Sequence, residues 1–222
     1  MAKITEAETV ILIPAYNEEM QIGNAISLIR QTGIEAHIIV INDGSSDKTA
    51  EIARSMDCET IDMPRNVGKA NAFFAGIRRA VQLNAKATVM LDADITGLPK
   101  NSLAKLVAGA QEATIERRAH MTVAQQAEGH QTRGAEIIRY SGQRSFSNMG
   151  LQLITGARTK SAARGFGLEE FLNRLFEGRT ERVSHTIQTM RAFRHEGLRE
   201  QHKAFERTAA RMARQRMHGR RL

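Results

Sequence analysis

The sequence predicts an α/β fold, a mostly parallel sheet with helices on both faces, followed by a basic helical tail. Three observations carry this expectation. Short apolar runs alternate with helix-length stretches through the first half of the chain. The runs are continuously apolar, as strands covered on both faces must be. Arginine then accumulates after residue 158.

The elements follow in order. Thr9 to Pro14 reads as the first strand, His37 to Ile41 as the second and Thr88 to Leu91 as another, with a weaker run from Cys58 to Asp62. Helices are expected over Glu18 to Gln31 (closed by Gly33), Ser46 to Met56, Val67 to Leu83 and Asn101 to Ile115. Ser45, Ser46 or Asp47 can cap the second helix, and Asn101 or Ser102 the fourth. A fifth strand is expected from His120 to Gln125. Gly129 to Arg144 reads as a loop returning to the site, and Leu168 to Phe176 as a short amphipathic helix. Arg182 to Ser184 looks strand-like, and a long basic helix begins near Ile187. One domain over residues 1–185, divided near 118, and a tail over 186–222 are expected.

Composition narrows the class. The chain has 222 residues, 41% of them hydrophobic, enough for one real core. Cys58 is the sole cysteine, so no internal disulfide forms and a reducing, cytoplasmic setting is expected. The first eight residues hold no apolar leader, and no apolar run approaches the roughly 18 residues of a membrane span. A net charge of +8 implies an anionic partner: phosphates, lipid headgroups or nucleic acid.

Ligands of open parallel sheets bind beyond the carboxyl ends of the strands. There the chain places Pro14-Ala-Tyr-Asn-Glu-Glu19, Asn42-Asp-Gly-Ser-Ser-Asp47 and Asp92-Ala-Asp94. An Asp-x-Asp triplet by itself is better explained as a solvated strand-end turn. Beside two other acidic strand ends it favours a hard divalent cation, Mg²⁺ or Mn²⁺, because clustered carboxylates repel unless a cation joins them. Asn66-Val-Gly-Lys-Ala70 opens a helix whose N-terminus and Lys69 suit a phosphate or carboxylate, or form an ordinary turn with an exposed lysine. A dinucleotide-binding glycine turn and a P-loop are both absent; Pro14, Glu18 and Glu19 occupy the place where the first would lie.

Together these segments resemble the family 2 glycosyltransferases of the GT-A fold, a Rossmann-like sheet. The motifs are Pro14 to Glu19, Asn42 to Asp47, Arg65-Asn-Val-Gly-Lys-Ala70, and Leu91-Asp-Ala-Asp94 followed by Pro99. The likeness is strong over about residues 8–110 and weaker over 135–185. It implies a nucleotide-sugar-binding half and an acceptor half. Pro14, Tyr16 and Glu18 would line the nucleotide pocket, Asp43 would contact the base, and Lys69 would lie near the nucleotide. Asp92 and Ala93 would lie near the ribose, with Asp94 and Asp92 holding the metal. The family usually has an acid where Asn42 stands.

Ser141-Gly-Gln-Arg-Ser-Phe146 and Gly165-Phe-Gly-Leu-Glu169 resemble segments of dolichyl-phosphate sugar synthases and their small relatives. An Arg-Tyr pair expected after the fifth strand is replaced by Gln125 and Gln126. The second segment also resembles glucosyl-3-phosphoglycerate synthases, so a lipid phosphate at the membrane surface and a small phosphorylated acid both stay open as acceptors. The donor implied is a UDP- or GDP-sugar.

Glu169 is the candidate general base for a hydroxyl acceptor, or a first-turn acid favoured by its helix dipole. Arg144 is the candidate for positioning an acceptor phosphate. His185 is a candidate further metal ligand by the resemblance, or an exposed histidine. In the tail, Arg191, Arg194, Arg199, Lys203, Arg207, Arg211, Arg214 and Arg216 interleave with Ile187, Met190, Phe193, Leu198, Phe205 and Met212. Such a helix suits an anionic membrane, its own domain or a second subunit of a homodimer. A nucleic-acid-binding module is the reading from another class; aromatics for base stacking are few and the four motifs would go unexplained.

Overall fold

The computed structural model describes residues 8–126, 142–157 and 167–189, with backbone only for residues 125–126 and part of the last strand. The chain divides into units over residues 1–189 and 190–222, and the second lies wholly outside the described residues.

In the first unit, β1 (Thr9–Ala15), β2 (His37–Asn42), β3 (Glu59–Asp62) and β4 (Ala87–Met90) alternate with α1 (Ile22–Gln31), α2 (Thr49–Ser55) and α3 (Lys69–Gln82). Then come β5 (Ile95–Gly97), α4 (Lys100–Ile115), β6 (Met121–Gln126), β7 (Arg144–Ser147), α5 (Asn148–Gly156), α6 (Gly167–Leu175) and β8 (Thr180–Thr189). The sheet order is β3-β2-β1-β4-β7-β6-β8-β5. Strands β1 to β4 are mutually parallel, β7 runs antiparallel to both β4 and β6, and β8 returns parallel to β6.

Strand periodicity splits the core into two layers. Ile11, Ile13 and Val40 face one side with Ile22, Ala25, Ile26 and Ile29 of α1 and Leu103 and Leu106 of α4. Leu12, Ile39 and Ile41 face the other, against Phe73 and Ile77 of α3, Leu151 of α5 and Leu172 of α6. This is the expected sheet covered on both faces.

Several details differ from expectation. Helix α1 starts at Ile22, because residues 17–21 form a turn in which Gln21 and Ile22 donate to the Glu18 carbonyl. Helix α4 starts at Lys100 after Pro99, so Asn101 and Ser102 sit in its first turn and do not cap it. Strand β7 and helix α5 occupy a stretch with no strong apolar pattern. Strand β8 continues through residues 187–189, which the sequence reading gives to the tail helix. No helix among the described residues is long and apolar enough to cross a membrane.

Candidate functional site

The loops at the carboxyl ends of the parallel strands are tied to one another in sequence. After β1, the Asn17 amide donates to Ser45 Oγ (3.0 Å), and Asn17 Oδ1 accepts from the Ser46 amide. Asn17 takes a left-handed φ of 53°, which asparagine tolerates better than most residues. The Glu18 amide donates to Thr49 Oγ1 at 2.8 Å and that of Glu19 to Asp47 Oδ2 at 3.1 Å. Asp47 also accepts from the Thr49 amide at 3.0 Å, one residue ahead of the Lys48 N-cap of α2, so none of Ser45, Ser46 and Asp47 holds the cap position itself. Despite partial burial, which opposes it, hydrogen bonds from Thr49 and Glu19 hold the Asp47 carboxyl below its usual range.

Asp43 joins the second loop to the third. It is 4% exposed, and its two oxygens accept from the amides of Val67 (2.8 Å) and Gly68 (2.9 Å) ahead of α3. Gly44 sits at φ +70°, and a Cβ there would lie 2.4 Å from the Arg65 carbonyl carbon, so only glycine lets the two backbones meet. Asn42 donates to Asp62 and accepts from the Ser45 amide, so its amide makes contacts in both directions that an aspartate could not.

The third loop delivers Lys69 to the fourth. Its Nζ lies 2.7 Å from Asp92 Oδ1 and 3.2 Å from Glu169 Oε1. Glu169, in the first turn of α6, is 4% exposed. The other Asp92 oxygen accepts from Gln143 Nε2 at 2.7 Å. Asp43, Lys69, Asp92 and Glu169 therefore lie along one continuous run of contacts.

The candidate residues differ in exposure. Tyr16 is 46% exposed, Pro14 is partly exposed at the end of β1, and Ala93 and Asp94 are buried. Asp94 immediately precedes β5, whose Ile95 carbonyl accepts from Asn24 of α1. Arg144 calls for a correction. It is fully buried, and Nη1 donates to Asn173 Oδ1 at 2.8 Å and faces the Met121 sulfur. A guanidinium without exposed surface does not present itself to an acceptor phosphate. Burial pushes it down to about 10, against the pull of the Glu169 and Asp92 carboxylates, so it stays charged at neutral pH as their buried counter-charge. His185 lies on β8, but its side chain is outside the described residues.

The candidate donors for a cation are the Asp92 and Asp94 carboxylates. Asp92 has one oxygen on Lys69 and the other on Gln143, and Asp94, two residues on, is buried just ahead of β5. Among the described residues no three His, Cys, Asp or Glu side chains come together as a metal-binding group. Mg²⁺ and Mn²⁺ would not need such a group, since they bind through one or two carboxylates and complete their shell with phosphate and water oxygens. Gln143 and Asn173 are the residues that sequence reasoning left without a role. The only signal for Gln143 was its place in the Ser141 to Phe146 segment.

A search of solved structures finds the same architecture in TarS 1-349 of Staphylococcus aureus, with a TM-score of 0.65 and 13% identity over 82% of this chain and 60% of that one. Glucosyl-3-phosphoglycerate synthase from Mycobacterium tuberculosis, solved with Mn²⁺, UDP and glucosyl-3-phosphoglycerate, matches with a TM-score of 0.60 and 19% identity over 82% of this chain and 71% of that one. At such identities the likeness concerns the fold. Among curated proteins, the 4,4'-diaponeurosporenoate glycosyltransferase of S. aureus is 35% identical over 102 residues, 44% of this chain and 26% of that protein. The matched part thus spans about a quarter of that relative's length. The profile of glycosyl transferase family 2 matches residues 10–201, most of the sequence, and the chain belongs to that family.

Proposed function

We propose that this chain transfers a sugar from a nucleotide diphosphate sugar to an acceptor at the carboxyl edge of its sheet, with Mg²⁺ or Mn²⁺. The observation that carries the reading is the Asp92–Lys69–Glu169 cluster, joined through the α3 N-terminus to Asp43. Carboxylates of little exposure held by a lysine form a site that is costly to maintain without a ligand to serve.

Asp94 is the carboxylate that would hold the metal, with Asp92 beside it. When bound, the metal would act as a Lewis acid on the diphosphate. Tyr16, with Pro14 and Glu18, would border the nucleotide, and Asp43 would act by fixing the third loop against it. Lys69 would supply positive charge toward the phosphates. Glu169, a buried acid with one oxygen on Lys69, is suited to accept the proton of an acceptor hydroxyl. An acceptor that is already a phosphate needs no such base.

The acceptor proposed is a lipid phosphate, supported by the basic amphipathic character of residues 187–216. A second reading, a small phosphorylated acid, draws on the likeness to the synthase solved with UDP-glucose and phosphoglyceric acid. Its structures hold Mn²⁺ or Mg²⁺, in keeping with the proposed cofactor.

Thermal stability measured with UDP or GDP tests the donor site. With Mn²⁺, a nucleoside diphosphate at about a hundredfold its dissociation constant should stabilise the chain by about 2.7 kcal/mol. Asp94→Ala should remove that gain. No change in midpoint with either nucleotide would overturn the proposal.

A further inference from the structure

Gln143 makes two hydrogen bonds with one residue. Its Oε1 accepts from the Asp92 amide at 2.9 Å, and its Nε2 donates to Asp92 Oδ2 at 2.7 Å. The side-chain amide thereby fixes both the backbone and the carboxylate of Asp92, which a lone donor or acceptor could not do. Gln143 is itself held firmly. It is fully buried, its carbonyl accepts from the Ala124 amide at 3.0 Å, and the next residue opens β7, paired on both edges.

Gly142 completes the arrangement. A Cβ there would lie 2.6 Å and 2.7 Å from the two Asp92 carboxylate oxygens, closer than any side chain is tolerated. With Lys69 on Oδ1 and Gln143 on Oδ2, the Asp92 carboxylate is clamped from both sides while Gly142 leaves it room. Gln143 also lies 51 residues from Asp92 in sequence, so its contacts bind the strand-end turn to a distant segment.

We propose that Gln143 is a positioning residue for Asp92: its two-point amide contact, with the side-chain-free backbone of Gly142, sets the carboxylate in the orientation that nucleoside diphosphate binding needs. The inference rests on the proposed function. It goes beyond it by assigning a role to the Gly142-Gln143 pair, which the motifs leave unassigned.

The test is a double-mutant cycle on the intact chain, read as the dissociation constant for UDP or GDP with Mn²⁺. Gln143→Met keeps the volume and removes both hydrogen bonds. It should weaken binding roughly tenfold or more, as removing groups that orient ligating side chains commonly does. In an Asp92→Ala background the same change should cost no further affinity. Gly142→Ala supplies a second variant that leaves Gln143 in place. It should weaken binding in the parent and be harmless beside Asp92→Ala, where the carboxylate it would strike is gone. A purely structural role for Gln143 predicts equal losses in both backgrounds, and that additivity, or no loss at all, would overturn the inference while leaving the donor site standing. If the parent chain binds neither nucleotide, the proposed function falls and this inference with it.

Discussion

Asp92 and Asp94 look alike in the sequence, two acids flanking an alanine, yet the fold treats them differently. Asp92 is gripped by Lys69, 23 residues away, and by Gln143, 51 residues away, while Asp94 lies buried just ahead of β5. The type and place of such residues could be read, because a strand end followed by acids is a local pattern. Their partners could not, because the Lys69–Glu169 contact spans 100 residues and no local spacing encodes it. Arg144 illustrates the same limit. An arginine in a motif suggests a phosphate grip, and only its complete burial near the Glu169 and Asp92 carboxylates shows a counter-charge. Gly76 was legible in part, since glycine inside a helix costs stability unless close packing requires it. A Cβ there would lie 2.9 Å from Ile41 Cδ1 and 3.1 Å from both Leu12 Cδ atoms. Gly76→Val adds three carbons against two fully buried side chains and should destabilise the chain by about 1–3 kcal/mol, measured by urea unfolding. An unchanged midpoint would show that the α3–sheet contact is looser than these distances imply.

At the scale of elements, the parallel strands were legible because burial on both faces demands continuous apolar runs, and β1, β2 and β4 have them. Strand β7 escaped because Arg-Ser-Phe-Ser carries no such run, though all four residues are buried. Its polar groups are satisfied internally: Ser145 Oγ donates to the Leu106 carbonyl and Ser147 Oγ to that of Arg118, while Arg144 reaches Asn173. Strand β5 has three residues and exists only through pairing with β8, so no local signal announces it. His120 lies at the junction of β6 and β7, with its backbone amide on Ser147 Oγ at 3.0 Å. Burial lowers the pKa of its ring, and Arg118 lowers it further; Glu181, 3.5 Å away, and Glu112 pull weakly the other way. The folded state thus binds this proton less readily than the unfolded chain does. The stability concerned is fully present above the unfolded value of about 6.5 and is lost as pH falls through the lower folded value. Between pH 7.5 and 5 the thermal midpoint should therefore fall, and it should fall less in His120→Gln. Equal losses in the two proteins would assign the acid sensitivity to other groups.

For the molecule as a whole, alternating strands and helices were enough to name the sheet and its two helical layers, while charge speaks to the environment. Residues 190–222 hold nine arginines and one lysine against three glutamates, leaving nearly all of the net +8 in that segment. Residues 1–189 are close to neutral, so the field of the chain is concentrated at one end of the sequence. A charge block of this kind attracts anionic surfaces by roughly 1 kcal/mol per basic residue near the membrane, and the attraction weakens as salt screens it. If the acceptor is a lipid phosphate, this segment is what brings the sheet domain to it. The full chain should then co-sediment with vesicles containing about a third anionic lipid at low salt, and release as salt rises past a few tenths molar. Replacing Arg191, Arg194, Arg207, Arg211 and Arg214 with glutamine should abolish sedimentation and leave nucleoside diphosphate affinity unchanged, because the groups proposed to bind the donor all precede residue 190. Neutral vesicles should capture neither protein. Indifference of the parent chain to anionic vesicles would remove the reason for preferring a lipid acceptor and leave the small phosphorylated acid as the substrate class to pursue.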